Sequence, residues 1–137
     1  MTKLIYHIED DNDYRELVAA CLRTKAPRIK IEPFAGGTTA WTVLEALPVE
    51  AFPHLILLDL NMPGMNGYEF IRAVRNKDRF ANLPIVVFTS SAQASDEKFC
   101  ADYGVDMITK PNSIPEIDSM LDWILEEKLT NYLENDR

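Results

Sequence analysis

Cysteine, glycine, proline and long apolar runs are all scarce in this 137-residue sequence. The two cysteines, Cys21 and Cys100, lie far apart in helix-like patterns, so we expect buried, reduced thiols and a cytoplasmic protein. Five glycines and eight prolines are too few for a disordered or collagen-like chain. No apolar run is long enough to cross a membrane, and the opening letters MTKLIYHIEDD do not form a signal peptide.

Basic residues are in the minority. The chain has 14 lysines and arginines against 22 acids, which gives a net charge of −8. No basic patch is visible, so the sequence argues against nucleic acid and against a membrane surface as partners. This balance suits a soluble protein that meets other proteins, and part of the negative charge is available to a cation.

Hydrophobic residues make up 47% of the chain, and their pattern alternates between strand-like and helix-like segments. The strand-like segments are KLIYHI, RIKIEPF, HLILLDL, LPIVVFT and VDMIT. A helical pattern follows each of them, which predicts an α/β fold with a doubly wound, five-stranded parallel sheet. Pro33 lies inside the second segment and favours an edge strand there. We expect one domain over residues 1–137, with no output domain and a last helix over about residues 114–133.

Helix starts are predicted from capping residues. Asp13 with Glu16 would form a capping box on the first helix, and Ser95 would cap the fourth. Ser113 with Glu116 would form a second capping box, which opens the last helix.

The chemistry-bearing residues follow the strands, at the edge where open α/β sheets bind their ligands. These residues are Glu9, Asp10, Asp11, Asp59, Thr89, Ser90 and Lys110. Clustered carboxylates favour a hard cation, and Mg²⁺ prefers a few carboxylates together with water and phosphate oxygens. A carboxylate is also a nucleophile toward phosphorus, and a metal ion with an ammonium group neutralises the transferring phosphoryl group. The set therefore predicts phosphoryl transfer to Asp59.

Each residue taken alone has a simpler interpretation. Acids often precede a helix, a single aspartate often ends a turn, and a Lys-Pro pair is often a loop. His7 is expected to be a packed or half-exposed strand residue, and Trp41 and Trp123 are expected to be packing residues. The phosphoryl-transfer hypothesis depends on the residues occurring together, in order, at one sheet edge.

The sequence resembles the receiver domain of two-component response regulators from Lys3 to about Leu129. The motifs that carry the resemblance are IEDD, LLDLNMPGMNG, VVFTSS and ITKP. The resemblance implies a flavodoxin-like fold with strand order 2-1-3-4-5. It also implies a cis peptide bond between Lys110 and Pro111.

The resemblance assigns a role to each matching residue. Asp59 corresponds to the phosphoacceptor, Thr89 to the switching hydroxyl and Lys110 to the conserved lysine of the family. Asp10, Asp59 and the backbone carbonyl of Asn61 would bind Mg²⁺ directly, with Glu9 acting through water. Of the three acids after the first strand, the pair Glu9 and Asp10 is preferred over a pair that includes Asp11, because of the position that this choice gives Arg15.

One position departs from the family pattern. The place three residues before Lys110 usually holds an aromatic residue, and here it holds Met107. Methionine is flexible enough to fill the same space. Asn112 and the long final segment look more like the single-domain, chemotaxis-type regulators that partner phytochrome-type or hybrid sensor kinases.

The implied function is that of a phosphorelay receiver. A sensor histidine kinase or a histidine phosphotransfer protein would supply the phosphoryl group and dock on helix 1. A downstream protein would bind the face formed by helix 4, strand 5 and helix 5, with Met107 and Tyr103 as switch residues. The protein would not be an enzyme beyond catalysing its own phosphorylation and dephosphorylation.

Two other classes of function remain open. A haloacid-dehalogenase-like phosphatase also uses an aspartate nucleophile, but it needs a second aspartate where this chain has Asn61. A receiver-like module that only docks, without taking phosphate, is the other alternative.

Overall fold

The computed structural model describes residues 3–90 and 93–129. It contains five strands and five α-helices in strict alternation. The strands are Leu4–Ile8 (β1), Lys30–Phe34 (β2), Leu55–Asp59 (β3), Ile85–Thr89 (β4) and Asp106–Thr109 (β5). The α-helices are Asn12–Lys25 (α1), Gly37–Glu45 (α2), Gly67–Arg75 (α3), Ala94–Asp102 (α4) and Ile114–Glu127 (α5), with short 3-10 helices at Val49–Ala51 and Asp78–Phe80.

All strands pair in parallel in the order β2-β1-β3-β4-β5, which confirms the predicted fold class and strand order. β2 is an edge strand, as Pro33 predicted, because a residue without an N–H is tolerated there. β3 is central and every one of its residues is buried. The order reverses direction between β1 and β3, so the carboxyl ends of these two strands frame the crevice where such sheets bind ligands.

The helices cover both faces of the sheet and create two hydrophobic cores. One core joins α1 and α5 to the sheet through Ile5, Val18, Leu22, Leu57, Phe88, Ile117, Leu121 and Ile124. The other joins α2, α3 and α4 through Ile8, Leu44, Leu58, Phe70, Val74, Val87 and Cys100. The uninterrupted apolar runs of β3 and β4 follow from this arrangement, because both faces of a central parallel strand are buried.

Two predicted helix caps are wrong. α1 begins earlier than expected, and Asp11 is its cap, since its carboxylate accepts a hydrogen bond from the backbone N–H of Tyr14. α4 is capped by Gln93, which makes no side-chain capping bond, and Ser95 lies within the helix. Both starts were placed too late because acidic or hydroxyl residues also occur in the first helical turn, where the helix dipole favours acids.

The last helix starts as predicted and ends earlier. Ser113 caps α5 by accepting the N–H of Glu116. α5 ends at Glu127, because Lys128 and Leu129 both bond back to the carbonyl of Ile124 and close the last turn. The expected extension to about residue 133 is therefore wrong for residues 128–129, and its remainder, 130–133, lies outside the described residues.

Several smaller expectations concern single side chains. Cys100 is buried, whereas Cys21 is only partly buried. Trp41 packs edge-on against Phe70 and Phe80, as expected of a core residue. The described residues contain no cis peptide bond, so the expectation of a cis bond before Pro111 is wrong. Among the helices described, none has the length and apolar character needed to cross a bilayer.

Arg75 ties three segments of the second core together. Its guanidinium donates hydrogen bonds to the backbone carbonyls of Tyr103 at 2.9 Å, Leu83 at 2.9 Å and Phe80 at 3.2 Å. These hydrogen bonds connect α3 to the end of α4 and to the segment that precedes β4.

Candidate functional site

Asp59 ends the central strand and lies at the crevice between β1 and β3. Its side chain is largely buried, and the backbone N–H of Asn61 donates to its Oδ1 at 3.1 Å. The following loop is shaped by glycines. Gly64 has φ +71°, and a Cβ on Gly67 would lie 2.7 Å from the Asp59 carbonyl oxygen and 2.7 Å from the Leu60 Cα. Only glycine lets α3 start this close to the end of β3.

Two further acids join Asp59. Carboxylate oxygens of Glu9, Asp10 and Asp59 all lie within 4.8 Å of one another. Asp11 is not in this group because its carboxylate caps α1. The structure thus brings Glu9 and Asp10, the pair preferred from the sequence, next to Asp59. Asp10 is exposed, whereas Glu9 is only 1% exposed.

Lys110 supplies a positive charge to the same pocket. Its Nζ lies 2.5 Å from Glu9 Oε1 and 3.9 Å from Asp59 Oδ2. Its backbone N–H bonds to the Thr89 carbonyl at 2.9 Å, so the ends of β4 and β5 are held in register. The lysine therefore reaches the acids from the fifth strand, across the end of β4.

The acidic pocket combines burial with neighbouring like charges. The pKa of Glu9 is raised to about 7, chiefly by burial and also by the charge of Asp59, although Lys110 and the Asp11 N–H favour the ionised form. A divalent cation would favour ionised Glu9 and would relieve the repulsion between the carboxylates. The three convergent carboxylates are the hard oxygen ligands that Mg²⁺ or Mn²⁺ prefers.

The other predicted site residues separate into two groups. Thr89 is buried at the end of β4, next to the end of β3, and Asn61 is exposed two residues beyond Asp59. Met107 and Tyr103 are partly buried against the core beneath α2, α3 and α4, and neither belongs to the acidic group. Met107 pairs with Val87 in the sheet, and the Tyr103 ring lies tilted against the Phe99 ring, with centroids 4.7 Å apart.

Three residues around the pocket were not predicted as part of the site. Arg15 donates to the backbone carbonyl of Glu9, and Tyr14 contacts both Lys110 and the Pro111 carbonyl. His7 is 1% exposed and lies edge-on to the Tyr14 ring, with centroids 6.2 Å apart. The sequence indicates these residues only by position: Tyr14 and Arg15 lie in the first helical turn, and His7 lies two residues before Glu9. The position of Arg15 also supported the choice of Glu9 and Asp10 as the acidic pair.

The family model for the response regulator receiver domain matches residues 5–122. Among curated relatives, the response regulator Rre1 of Synechocystis is 29% identical over 115 residues, which is 83% of this chain and 48% of that protein. A probable cyclic di-GMP phosphodiesterase of Vibrio cholerae is 29% identical over 127 residues, 92% of this chain and 26% of that protein. The chain thus spans half or less of the length of these relatives, and the shared segment is the receiver.

Solved structures give the same answer. The phosphorylated cyanobacterial phytochrome response regulator RcpA superposes with a TM-score of 0.84 at 25% identity, covering 96% of both chains. The Mn²⁺-bound response regulator Rcp1 superposes with a TM-score of 0.79 at 26% identity, covering 91% of this chain and 93% of that one. With the family match over most of its length, the chain belongs to the response regulator receiver domain family of two-component systems.

Proposed function

We propose that this chain is a phosphoacceptor receiver and that Asp59 takes the phosphoryl group. The observation that carries the proposal is the convergence of three carboxylates and one ammonium group at the end of the central strand. Two acids beside a potential nucleophile serve no purpose in packing, because their mutual repulsion has to be offset. A cation-assisted reaction at phosphorus uses all four groups.

In the proposed reaction, an Asp59 carboxylate oxygen attacks the phosphorus of a phosphohistidine. The P–N bond breaks, its electron pair stays on the imidazole nitrogen, and an acyl phosphate forms on Asp59. Mg²⁺ held by Glu9, Asp10, Asp59 and the Asn61 carbonyl would neutralise charge on the phosphoryl oxygens. Lys110 would pair with another of these oxygens, and the Thr89 hydroxyl would donate a hydrogen bond to a third.

The partners follow from the same proposal. The donor is a sensor histidine kinase, of the phytochrome type or a hybrid, or a histidine phosphotransfer protein that docks on α1. The phosphorylated state presents the face of α4, β5 and α5 to a downstream protein, with Tyr103 and Met107 as the switch residues. The only reactions catalysed are the protein's own phosphorylation and dephosphorylation. The two free cysteines support a cytoplasmic location.

The direct test is the intact mass after incubation with acetyl phosphate and Mg²⁺. We expect one added phosphoryl group in the wild type, none in Asp59→Asn, and none after a chelator is added. Asp13→Asn is the matched control, because it removes an exposed carboxylate of α1 outside the acidic group, and it should be labelled like the wild type. An unlabelled wild type, beside a receiver that is labelled under the same conditions, would leave the docking-only module as the better description.

A further inference from the structure

Tyr14 contacts the Lys110 segment at two points. The Lys110 Nζ lies 4.4 Å from the centroid of the Tyr14 ring, and the Tyr14 hydroxyl donates to the Pro111 carbonyl at 2.6 Å. The two partners are 97 residues apart in sequence, so α1 is joined to the loop after β5 through this one side chain. An ammonium group over an aromatic face is attracted by the electrons of the ring, most strongly where water is excluded.

The tyrosine ring is itself held in place. The backbone N–H of Tyr14 donates a hydrogen bond to the Asp11 carboxylate, and the Tyr14 ring packs edge-on against the buried His7. Burial raises the pKa of the Tyr14 hydroxyl, which therefore stays protonated and can donate.

The lysine needs such a support. A lysine side chain has four rotatable carbon–carbon bonds, and here its ammonium group is closer to Glu9 at 2.5 Å than to Asp59 at 3.9 Å. If Glu9 were its only fixed contact, the ammonium group could move with the Glu9 carboxylate and away from Asp59. The ring adds a second fixed contact, and the Pro111 bond fixes the backbone from which the lysine starts.

We propose that Tyr14 is a positioning residue that holds the Lys110 ammonium group at the acidic pocket, in reach of both Glu9 and Asp59. The inference rests on the proposed function insofar as Lys110 stabilises the transferring phosphoryl group. Tyr14 itself touches neither Asp59 nor the phosphoryl group and acts only through the lysine. The ring does most of this, and the hydroxyl secures the loop.

The first test does not require phosphorylation. In NMR spectra of the metal-free protein, the ring current of Tyr14 should shift the Lys110 ε-methylene protons upfield in the wild type and in Tyr14→Phe. The shift should disappear in Tyr14→Leu. An unshifted Lys110 in the wild type would overturn the proposal, whether or not the protein takes a phosphoryl group.

The second test is a double-mutant cycle on the rate of phosphorylation by acetyl phosphate. We expect Tyr14→Leu to slow the reaction about fivefold, the effect of a cation–π contact of ordinary strength. Tyr14→Phe should recover most of this loss. In a Lys110→Ala background, followed over longer incubations, Tyr14→Leu should cause no further slowing.

The control variant is Leu17→Ala, which removes packing from the same helix without touching the pocket. It should lower the unfolding midpoint and leave the rate unchanged. Equal slowing by Tyr14→Leu with and without Lys110, or a Tyr14→Phe variant as slow as Tyr14→Leu, would refute the proposed role of the ring. A wild type that takes no phosphoryl group would instead refute the proposed function, and the NMR signal would still decide whether Tyr14 holds Lys110.

Discussion

His7 gives the sharpest prediction of the structure, because its burial fixes how stability depends on pH. Its side chain is 1% exposed, and within the described part of the chain neither ring nitrogen has a hydrogen-bond partner. Protonation would place a charge in an apolar site beside Lys110 and Arg15, which is why the pKa falls from 6.5 to about 3.

The sign and size of the effect follow from linkage. Between these two pKa values the unfolded chain binds a proton at His7 and the folded chain does not, so the stability contributed at pH 7 is lost as pH falls below 6.5. Each unit of pH in this window is worth about 1.4 kcal/mol, and lowering the pH from 7 to 5 therefore costs about 2 kcal/mol at this residue. That is a large part of a typical free energy of unfolding of about 5–15 kcal/mol.

The assay is urea unfolding at pH 7 and pH 5 in chelator, for the wild type and for His7→Leu. Glu9 titrates with the opposite sign, since burial raises its pKa, so the difference between the two proteins isolates His7. We expect the wild type to lose about 2 kcal/mol more than the variant over this range. NMR should show the His7 imidazole still neutral at pH 5. Equal losses in both proteins, or an imidazole that titrates near pH 6.5, would show that the buried site tolerates the charge.

Three other predictions use different features of the site and its frame. In isothermal titration calorimetry, Mg²⁺ should bind more tightly as the pH rises from 6 to 8, because burial holds a proton on Glu9 with a pKa of about 7 and this proton must leave before the metal binds. An affinity that does not change over this pH range would contradict the prediction. Gly67→Ala should lower the free energy of unfolding in urea by about 1–3 kcal/mol and slow the phosphorylation of Asp59, because the added Cβ would lie 2.7 Å from backbone atoms. Gly36→Ala is the control: its Cβ would enter open space, so both measurements should be nearly unchanged. Arg75→Lys should lower the free energy of unfolding by about 2 kcal/mol although it keeps the charge, because an ammonium group cannot reproduce the geometry of a guanidinium fork at three carbonyls. An unchanged unfolding midpoint would show that those carbonyls bind water equally well.

The sequence was sufficient for the sheet and for the residues at its edge. Period and apolar content predict β1 to β5, and Pro33 identifies the edge strand, because both signals are local. Asp59, Lys110 and the acidic pair lie at the expected strand ends, and a parallel sheet brings those ends together whatever the side chains do. Two statements stay predictions: that these residues carry out phosphoryl chemistry, and that the chain has no output domain.

The sequence was not sufficient for contacts that depend on packing. Tyr14 meets Pro111 only because α1 and α5 cover the same face of the sheet, and no local pattern encodes this pairing. The complete burial of His7 depends on the same helix. The cap of α1 was also predicted at the wrong residue. Asp11 and Asp13 have the same capping preference by residue type, and the backbone turn after β1 decides between them.

The site draws its residues from the ends of β1, β3, β4 and β5, which are separated by most of the chain. A fragment that lacks the last strand also lacks Lys110 and cannot assemble the complete pocket. The three carboxylates lie at the ends of β1 and β3, so a cation is held only where these two central strands are paired. Binding at this pocket therefore favours the folded sheet over the unfolded chain. An ion that occupies it should slow hydrogen exchange across the whole sheet, including the distant edge strand β2, as well as at the loops that it touches.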